Sequence, residues 1–310
     1  HPDYEFSFEG HPNNTTYEHL KALSELGFTR VSYGIQDFDM KVQQAINRVQ
    51  TIEQVRKVTA WSRELGYTSI NFDLIYGLPF QTEASIEQTI AYVAELMPER
   101  IAFYSYAHVP WKRPGQRAYS EKDLPNAQQK KALNELGQQR LMALGYALVG
   151  MDHFVLPNDA LLQAMEEGTL HRNFMGYTTQ PGKILVGLGT SSISDWGEGY
   201  AQNCKTVEAY IDQIAKGEFA IFKGHLTTAA EQLIKKQVME VACRKQFSVQ
   251  ECNYSQLLAF EEMEEDGLLQ REENQFKVTA IGNQLLRNIC AVFDPNIRKH
   301  KNKQLFSQSV

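Results

Sequence analysis

Cysteine is scarce in this sequence, and its cysteines lie far apart. The 310 residues include four of them, namely Cys204, Cys243, Cys252 and Cys290. Zinc and iron–sulfur sites commonly use cysteines about two to four residues apart, and no such pair occurs. We therefore expect ordinary thiols of the reducing cytoplasm, with no metal ligands within this chain.

Long apolar runs and an excess of positive charge are also missing. No run approaches the ~20 apolar residues that span a bilayer, so we expect no segment that crosses a membrane. The formal net charge of -6 argues against a general surface for nucleic acid or anionic membranes. The sequence opens at His1 with neither an initiator methionine nor a signal-peptide pattern, so we expect it to be cut from a longer protein.

An acidic residue in the middle of an apolar segment is the most informative feature that is present. Ile70, Phe72 and Leu74 share one face of a predicted strand, because side chains alternate across a strand. Asn71 and Asp73 share the other face. A strand covered by helices is usually apolar on both faces, so Asp73 needs either a structural hydrogen-bond network or a ligand. The alternation leaves both possibilities open.

Neighbouring segments repeat this design of an apolar back and a polar front. Residues 4–9 and 31–36 alternate in the same way, and each predicted strand ends in a polar side chain, Glu9 or Gln36. Another strand is predicted over residues 100–107. The helices predicted between and after these strands cover about residues 15–26, 51–65, 82–96 and 125–144.

The spacing of the strand ends predicts the fold class. They fall at positions 9, 36, 73 and 107, so successive intervals are 27, 37 and 34 residues. Intervals of ~30 residues or more are typical of βαβ units. Successive units with polar residues at the carboxyl ends of the strands predict an α/β protein with a TIM-type barrel, whose sites lie at that end. Four units cannot close such a barrel, so a partial one is expected.

The second half of the sequence is less regular. A strand is predicted over residues 146–154, and a buried strand whose glycines allow close backbone approach over residues 184–193. Later helices are predicted at 206–216, 227–243, 254–266 and 280–292, with short strands at 267–269 and 276–279.

Helices followed by a β-wing indicate a small winged-helix-like domain over residues 205–310, after a larger domain over residues 1–204. Five acidic side chains between positions 261 and 266 argue against DNA binding by this domain.

Four polar side chains are predicted to meet at one end of the sheet. Glu9, Gln36, Arg48 and Asp73 supply two carboxylates, an amide and a guanidinium. Carboxylates accept hydrogen bonds from amines and hydroxyls, and arginine pairs with a carboxylate. The set could therefore hold a polar cofactor that carries an amine, a carboxylate and ribose hydroxyls, or it could be a barrel interior hydrogen-bonded to itself.

Collinear motifs along nearly the whole chain resemble the oxygen-independent coproporphyrinogen III oxidase family, which are radical S-adenosylmethionine (SAM) enzymes. The motifs are Ser7-Phe8-Glu9, Gly34-Ile35-Gln36-Asp37-Phe38, Asn47-Arg48, Asp73-Leu74-Ile75-Tyr76-Gly77-Leu78-Pro79, Tyr106-Ala107-His108, Met151-Asp152-His153-Phe154, His171-Arg172-Asn173-Phe174, Gly176-Tyr177-Thr178-Thr179-Gln180, Ser191-Ser192-Ile193-Ser194 and Leu286-Arg287-Asn288-Ile289-Cys290.

The resemblance implies a partial TIM-type (β/α) radical SAM barrel, incomplete in this chain. In such enzymes a 4Fe-4S cluster cleaves SAM to a 5'-deoxyadenosyl radical, which takes hydrogen from a substrate propionate. Loss of carbon dioxide leaves a vinyl group, and two such reactions convert coproporphyrinogen III to protoporphyrinogen IX in haem biosynthesis. The family holds two SAM molecules. Its SAM contacts fall here at Glu9, Gln36, Arg48, Asp73, Ala107 and Ile193.

This sequence departs from the family in two respects. Gly10-His11 follows Glu9, where relatives have other small or acidic residues, and we expect this difference to be tolerated. The family's cluster-binding C-x-x-x-C-x-x-C motif and glycine-rich SAM motif are expected upstream of His1, and the chain contains neither. The chain by itself is therefore expected to be inactive.

The four propionates of the substrate require cationic partners. We favour His171 and Arg172, which lie among aromatic residues that a tetrapyrrole could stack against, and Arg113 in a basic loop. Weaker candidates are Lys112, Arg117, His108 and His153. No residue is assigned as a catalytic acid or base. We also expect an electron donor such as flavodoxin or ferredoxin, a monomer, and a cytoplasmic location.

Two other functions remain open from the sequence. A haem-binding chaperone of the same superfamily would carry haem without oxidising coproporphyrinogen, although the residues from His171 to Thr179 favour the oxidase. A winged-helix regulator would bind DNA, which the acidic C-terminal helix disfavours.

Overall fold

The computed structural model describes residues 4–180 and 182–295. They form two compact units, the first ending at Leu162 and the second beginning at Gln163. The predicted division after residue 204 falls within the second unit and stays a prediction about domain organisation. Residues 296–310 of the predicted second domain lie outside the described residues.

Strands and helices alternate along the first unit. In chain order they are β1 (Phe6–Gly10), α1 (Tyr17–Glu25), β2 (Phe28–Gln36), α2 (Met40–Ala45), α3 (Ile52–Glu64), β3 (Ser69–Tyr76), α4 (Glu83–Leu96), β4 (Arg100–Ser105), α5 (Ala127–Ala143), β5 (Ala147–Val149) and β6 (His153–Val155), and α6 (Ala160–Glu166) follows. Short 3-10 turns at Pro114–Arg117 and Glu121–Asp123 form part of the loop after β4.

The strands of the first unit form one open sheet in the order β1-β2-β3-β4-β6-β5. The first four are parallel neighbours, whereas β6 is antiparallel to both β4 and β5. Successive parallel strands are joined through helices, which confirms the predicted (β/α) units. The described sheet has two edges, β1 and β5, so it is part of a barrel wall, as the sequence predicts.

Helix starts and strand faces follow directly from the sequence. Thr51 and Thr82 cap α3 and α4, because their side chains accept from the backbone N–H of Gln54 and Ser85. The apolar face of the sheet packs against the helices in a single core, which includes Leu20, Tyr33, Ile70, Phe72, Ile86, Val93, Ile101 and Leu141. The polar side chains that alternate with these residues are therefore directed to the opposite face.

The segment predicted as one strand over residues 146–154 is a hairpin instead. β5 ends at Val149, which pairs antiparallel with His153 at the start of β6. Gly150 between them has a φ of 63°, a left-handed conformation that favours glycine. The chain therefore reverses within the segment.

The prediction of a buried strand over residues 184–193 is wrong. Val186 and Leu188 are 67% and 79% exposed, and before β9 (Ile193–Asp195) begins, the segment pairs only through an isolated bridge. The predicted close approach of a glycine is confirmed, since a Cβ added to Gly187 would lie 2.9 Å from backbone atoms of Ile193. The apolar composition of this segment does not determine which of its side chains are covered by other elements.

The second unit contains two antiparallel sheets and a short hairpin. Its elements are β7 (His171–Asn173), β8 (Gly176–Thr178), β9 (Ile193–Asp195), β10 (Gly199–Asn203), α7 (Val207–Ala215), β11 (Ile221–Leu226), α8 (Ala229–Arg244), β12 (Gln246–Ser248), α9 (Tyr254–Glu265), β13 (Leu269–Glu272), β14 (Gln275–Val278), α10 (Ala280–Gln284) and α11 (Leu286–Phe293). The sheet orders are β11-β10-β9 and β12-β14-β13, and β7 pairs with β8. Strands β7, β8, β10, β11 and β12 were not predicted.

The part of the second unit from α8 onward has its own aromatic core. The rings of Phe247, Phe260, Phe276 and Phe293 pack against one another with centroids 4.6–5.9 Å apart. The β13–β14 hairpin supports the winged-helix-like arrangement. β14 overlaps the predicted strand at 276–279, whereas β13 begins only at Leu269, where the other predicted strand ends. The predicted final helix is broken at Leu285 into α10 and α11.

Candidate cofactor site

The polar face of the first sheet brings predicted site residues into adjacent rows. In one row Glu9 of β1 pairs with Ser32 of β2, which pairs with Asn71 of β3. In the next row Asp73 has Gly34 and Ala102 as its strand neighbours. Both neighbours are small, which leaves room beside Asp73 for side chains from other parts of the chain.

The carboxylate of Asp73 is part of a hydrogen-bond network. Asn71 Nδ2 donates to Oδ1 at 2.9 Å, and Ser32 Oγ donates to Oδ2 at 3.2 Å. Burial raises the pKa of Asp73, although these hydrogen bonds and the charges of His153 and Arg48 oppose the shift. A carboxylate has about four acceptor positions, so Asp73 retains capacity to bind a ligand.

Glu9 places a second carboxylate beside Asp73. Burial raises the pKa of Glu9, and the negative charge of Asp73 raises it further. Two neighbouring carboxylates with raised pKa values favour a cationic or hydrogen-bond-donating ligand, because such a ligand stabilises both charged forms.

Arg48 lies in the loop after α2, and its side chain contacts the row that contains Gly34 and Asp73. Its Nη2 donates to the carbonyl oxygen of Gly34 at 2.9 Å, while its Nε is buried and has no hydrogen-bond partner in the described residues. Burial lowers the pKa of Arg48, and Asp73 opposes this shift. A partly buried guanidinium with an unsatisfied donor is suited to an anionic group of a ligand.

Gln36 reaches the same place from the end of β2. A Cβ added to Gly34 would lie 2.6 Å from Arg48 Nη2 and 2.8 Å from Gln36 Nε2. The two side chains therefore converge above a residue that has to be glycine. The structure thus brings together Glu9, Gln36, Arg48 and Asp73, as the sequence predicts for the end of the sheet.

Ala107 and Arg113 follow β4 on exposed backbone. The carbonyl oxygen of Ala107 accepts from Gln116 Nε2 at 3.0 Å, which ties the start of this loop to its 3-10 turn. Arg113 is exposed and its side chain lies away from the core. Ala107 thus lies at the carboxyl end of the sheet with its carbonyl oxygen bonded to Gln116, and Arg113 is an exposed cation.

The remaining predicted site residues belong to the second unit. Ile193 begins β9 and is half-buried, and His171 and Arg172 lie in β7. The guanidinium of Arg172 lies 5.4 Å from the ring centroid of Tyr177, and its Nε is buried with no partner within the described chain. Arg172 therefore carries a positive charge that no carboxylate of the described residues neutralises by a salt bridge.

A charged cluster beside His171 escaped the sequence analysis. Lys235 of α8 donates to Asp195 at 2.7 Å and lies 5.0 Å from the ring centroid of Tyr200. Burial and the charge of Lys235 lower the pKa of His171, and Asp195 opposes this shift. No pattern identified Lys235, because one lysine on an amphipathic helix is ordinary. Ser32 and Asn71, in contrast, could have been found from their positions on the polar face.

The cysteines remain free thiols. Burial raises the pKa of Cys243 and Cys252 to about 11 and that of Cys290 to about 12. In the part of the chain that the structure describes, no three histidine, cysteine or acidic residues cluster as metal ligands would. The residues of this chain therefore do not fit a 4Fe-4S cluster, which needs thiolates.

The comparisons with known proteins point to one family. Residues 3–93 match the family described as the Radical SAM superfamily. The oxygen-independent coproporphyrinogen III oxidase of Synechocystis sp. is 38% identical over 321 residues, covering 99% of this chain and 69% of that protein. The Escherichia coli enzyme of the same name is 38% identical, covering 99% of this chain and 70% of that protein.

A solved structure agrees in fold as well as in sequence. The structure of coproporphyrinogen III oxidase from Escherichia coli, described as a radical SAM enzyme, superposes with a TM-score of 0.90 at 37% identity. The superposition covers 96% of this chain and 71% of the Escherichia coli chain. Sequence identity, shared fold and the collinear motifs together establish that this chain belongs to the oxygen-independent coproporphyrinogen III oxidase family of radical SAM proteins.

Proposed function

We propose that this protein acts in haem biosynthesis as an oxygen-independent coproporphyrinogen III oxidase, which decarboxylates two substrate propionates oxidatively to vinyl groups. The observation that carries the proposal is the convergence of Gln36 and Arg48 above Gly34, beside the carboxylates of Glu9 and Asp73. Membership of the family favours this activity over the haem-binding chaperone.

The residues present fit SAM. Arg48 has an unsatisfied buried Nε that can donate to the carboxylate of the cofactor. Glu9 and Asp73 can accept hydrogen bonds from its amine and its ribose hydroxyls. Gly34 leaves the room that the side chains of Gln36 and Arg48 occupy beside Asp73. Ala107 would contribute backbone contacts, and Ile193 would contribute an apolar contact.

When bound, SAM supplies the one-electron chemistry that removes hydrogen from a propionate. The residues of this chain would bind and orient the cofactor, and their buried, polar face would keep its charged groups away from bulk water. We further propose that two SAM molecules bind. This number is proposed from the family to which the chain belongs.

The propionates of coproporphyrinogen III would be held by His171 and Arg172, with Arg113 as a further candidate. The observation in favour of Arg172 is its buried Nε without a partner, because an unsatisfied guanidinium gains most from a carboxylate. The pKa of His171 is lowered by burial and by Lys235, so His171 would be a neutral hydrogen-bond donor near pH 7.

The other partners are proposed on more general grounds. An electron donor such as flavodoxin or ferredoxin and a 4Fe-4S cluster, with ligands outside this chain, are implied by the family. We propose a cytoplasmic monomer that binds neither nucleic acid nor membranes. The net charge of -6 supports the absence of these two partners. Among the described helices, none is both long and apolar enough to span a bilayer.

The separate domain over residues 205–310 is supported by its phenylalanine core.

Calorimetric titration of SAM tests the cofactor assignment. The wild-type chain should bind SAM, and Arg48→Gln should weaken binding by about tenfold or more, because it removes a charge-assisted hydrogen bond. Arg63→Gln is the matched control, since Arg63 also donates from Nη2 to a backbone carbonyl, that of Leu96, at 2.7 Å. Equal effects of the two substitutions would contradict the assignment.

The activity itself requires a protein that joins this chain to a C-x-x-x-C-x-x-C segment. Incubated anaerobically with coproporphyrinogen III, SAM and a reductant, it should release carbon dioxide and form protoporphyrinogen IX. Haem binding without release of carbon dioxide would favour the chaperone instead.

A further inference from the structure

The backbone of Gln36 adopts an unusual conformation in the candidate cofactor site. Its φ is 70°, and the N–H of Asp37 donates to the carbonyl oxygen of Ile35 at 2.9 Å. This bond closes a γ-turn with Gln36 at its centre. A γ-turn whose central residue has a positive φ is rare and strained, and such strain persists only where the surroundings hold it.

Side chains from one short segment hold this turn. The carbonyl oxygen of Gly34 accepts from Arg48 Nη2 at 2.9 Å. The carbonyl oxygen of Ile35 accepts from Gln50 Nε2 at 2.6 Å. On the other side of Gln36, the carbonyl oxygen of Asp37 accepts from Gln43 Nε2 at 2.9 Å. Side chains of the segment from residue 43 to residue 50 thus donate hydrogen bonds to backbone carbonyl oxygens on both sides of the turn.

Gln50 is placed to control the turn most directly. It is 1% exposed, and besides its bond to Ile35 its Nε2 lies 3.4 Å from the carbonyl oxygen of Gly34. Two carbonyl acceptors fix the orientation of the amide, because the opposite orientation would set oxygen against oxygen. The backbone N–H of Gln50 donates to Gln43 Oε1 at 3.1 Å, which joins the two glutamines.

We propose that Gln50 is a positioning residue of this site: by holding the carbonyl oxygens of Gly34 and Ile35, it keeps Gln36 left-handed and its amide beside the Arg48 guanidinium. Gln36 Nε2 and Arg48 Nη2 both lie within 3 Å of the point where a Gly34 Cβ would stand, so rotation of the turn displaces both groups. The relevance to SAM rests on the proposed function, whereas the control of the turn does not.

Hydrogen exchange of the Asp37 amide tests the proposal without any ligand, because this amide forms the bond that closes the turn. Gln50→Met removes the donor at similar size, and the amide should exchange about tenfold faster or more. Gln237→Met is the matched control, since Gln237 is 2% exposed and donates from Nε2 to the carbonyl oxygen of Glu251 at 2.7 Å. Unchanged exchange at Asp37 in Gln50→Met would overturn the proposal.

Calorimetric titration of SAM separates this proposal from the proposed function. Gln50→Met should weaken SAM binding by about tenfold, and Gln237→Met should leave it unchanged. A wild-type chain that does not bind SAM would overturn the cofactor assignment, and the exchange comparison would then decide on Gln50 by itself.

A thermodynamic cycle keeps the test decisive if Gln50→Met folds poorly. Gln36→Gly removes the strain at the centre of the turn, since glycine adopts a positive φ readily. Gln50→Asn, a milder change that keeps an amide but shortens it, should then lower Tm less in the Gln36→Gly chain than in the wild type. Equal losses in the two backgrounds would show that Gln50 does not act through Gln36 and would overturn the proposal.

Discussion

Arg48 Nη2 donates to the carbonyl oxygen of Gly34 in the strand that lies next to Asp73, and Gly34 and Asp73 are partners in register. The guanidinium is therefore held by backbone, and the carboxylate is held by Asn71 and Ser32. Neither group neutralises the other by a direct salt bridge. Cation and anion remain available on one polar surface, which suits a zwitterionic amino-acid group such as that of SAM.

Gly34→Ala should weaken SAM binding by about tenfold with little change in Tm. The new Cβ would lie 2.6 Å from Arg48 Nη2 and 2.8 Å from Gln36 Nε2, so the flexible ends of both side chains would have to move out of their positions. Gly115→Ala is the control, because a Cβ there meets no atom within 4 Å. Calorimetry measures the affinity, and unchanged binding by Gly34→Ala would contradict the placement of the cofactor.

The sequence was sufficient to predict which side chains lie on the polar face, but not the backbone conformation that positions them. Alternation placed Asp73 opposite Phe72, and the strand spacing predicted the parallel units, because both depend on local periodicity. The left-handed φ of Gln36 depends on contacts from residues up to Gln50, far beyond the strand itself, so no local pattern predicted it. Leu188 was predicted to be buried because it is apolar, but burial depends on which elements pack over it.

Asp159→Ala should destabilise the first unit by about 3–5 kcal/mol, because it leaves a buried guanidinium without its partner. Arg100 Nε donates to Asp159 at 2.6 Å, and both side chains are 7% exposed. Urea unfolding measures the change. Glu87→Ala is the control: it breaks the exposed pair of Glu87 with Arg140, so it should change stability little. Similar effects of both substitutions would contradict the role of burial.

The double variant Arg100→Met with Asp159→Leu should recover most of the stability lost in Asp159→Ala. Replacing both charges with apolar side chains removes the uncompensated buried charge, since replacement of a buried ion pair is often neutral or stabilising. A double variant no more stable than Asp159→Ala would show that the loss comes from other contacts of Asp159, such as the hydrogen bond that its Oδ1 accepts from the Leu161 N–H at 2.8 Å.

Asp37 should make the stability of the first unit depend on pH. Asp37 is 0% exposed, and burial raises its pKa to about 6. Between about pH 4 and pH 6 the unfolded chain releases this proton while the folded chain retains it, so stability should fall as pH rises through this window. The shift of about two pKa units corresponds to about 3 kcal/mol in total.

Comparison with Asp37→Asn isolates this contribution in urea unfolding at pH 4, 5, 6 and 7. The variant keeps only one side-chain oxygen to accept from Gln81 Nε2 and the Asp39 N–H, so its stability should be lower at pH 4, but the component that declines between about pH 4 and pH 6 should be missing. A difference between wild type and variant that does not change across this window would show that Asp37 has an ordinary pKa.

Gly282→Ala should disrupt the winged-helix-like part of the second unit. A Cβ at this position would lie 1.9 Å from the carbonyl oxygen of Leu268, and neither backbone can move away without breaking the bond from the Thr279 N–H to the same oxygen at 3.1 Å. Overpacking of this kind costs about 1–3 kcal/mol or more. Hydrogen exchange should therefore accelerate in β13 and β14 but not in the sheet of the first unit.

Gly224→Ala is the control, since its Cβ would meet only the carbonyl oxygen of Tyr200 at 3.7 Å. Unaltered exchange in β13 and β14 of Gly282→Ala would contradict this tight packing.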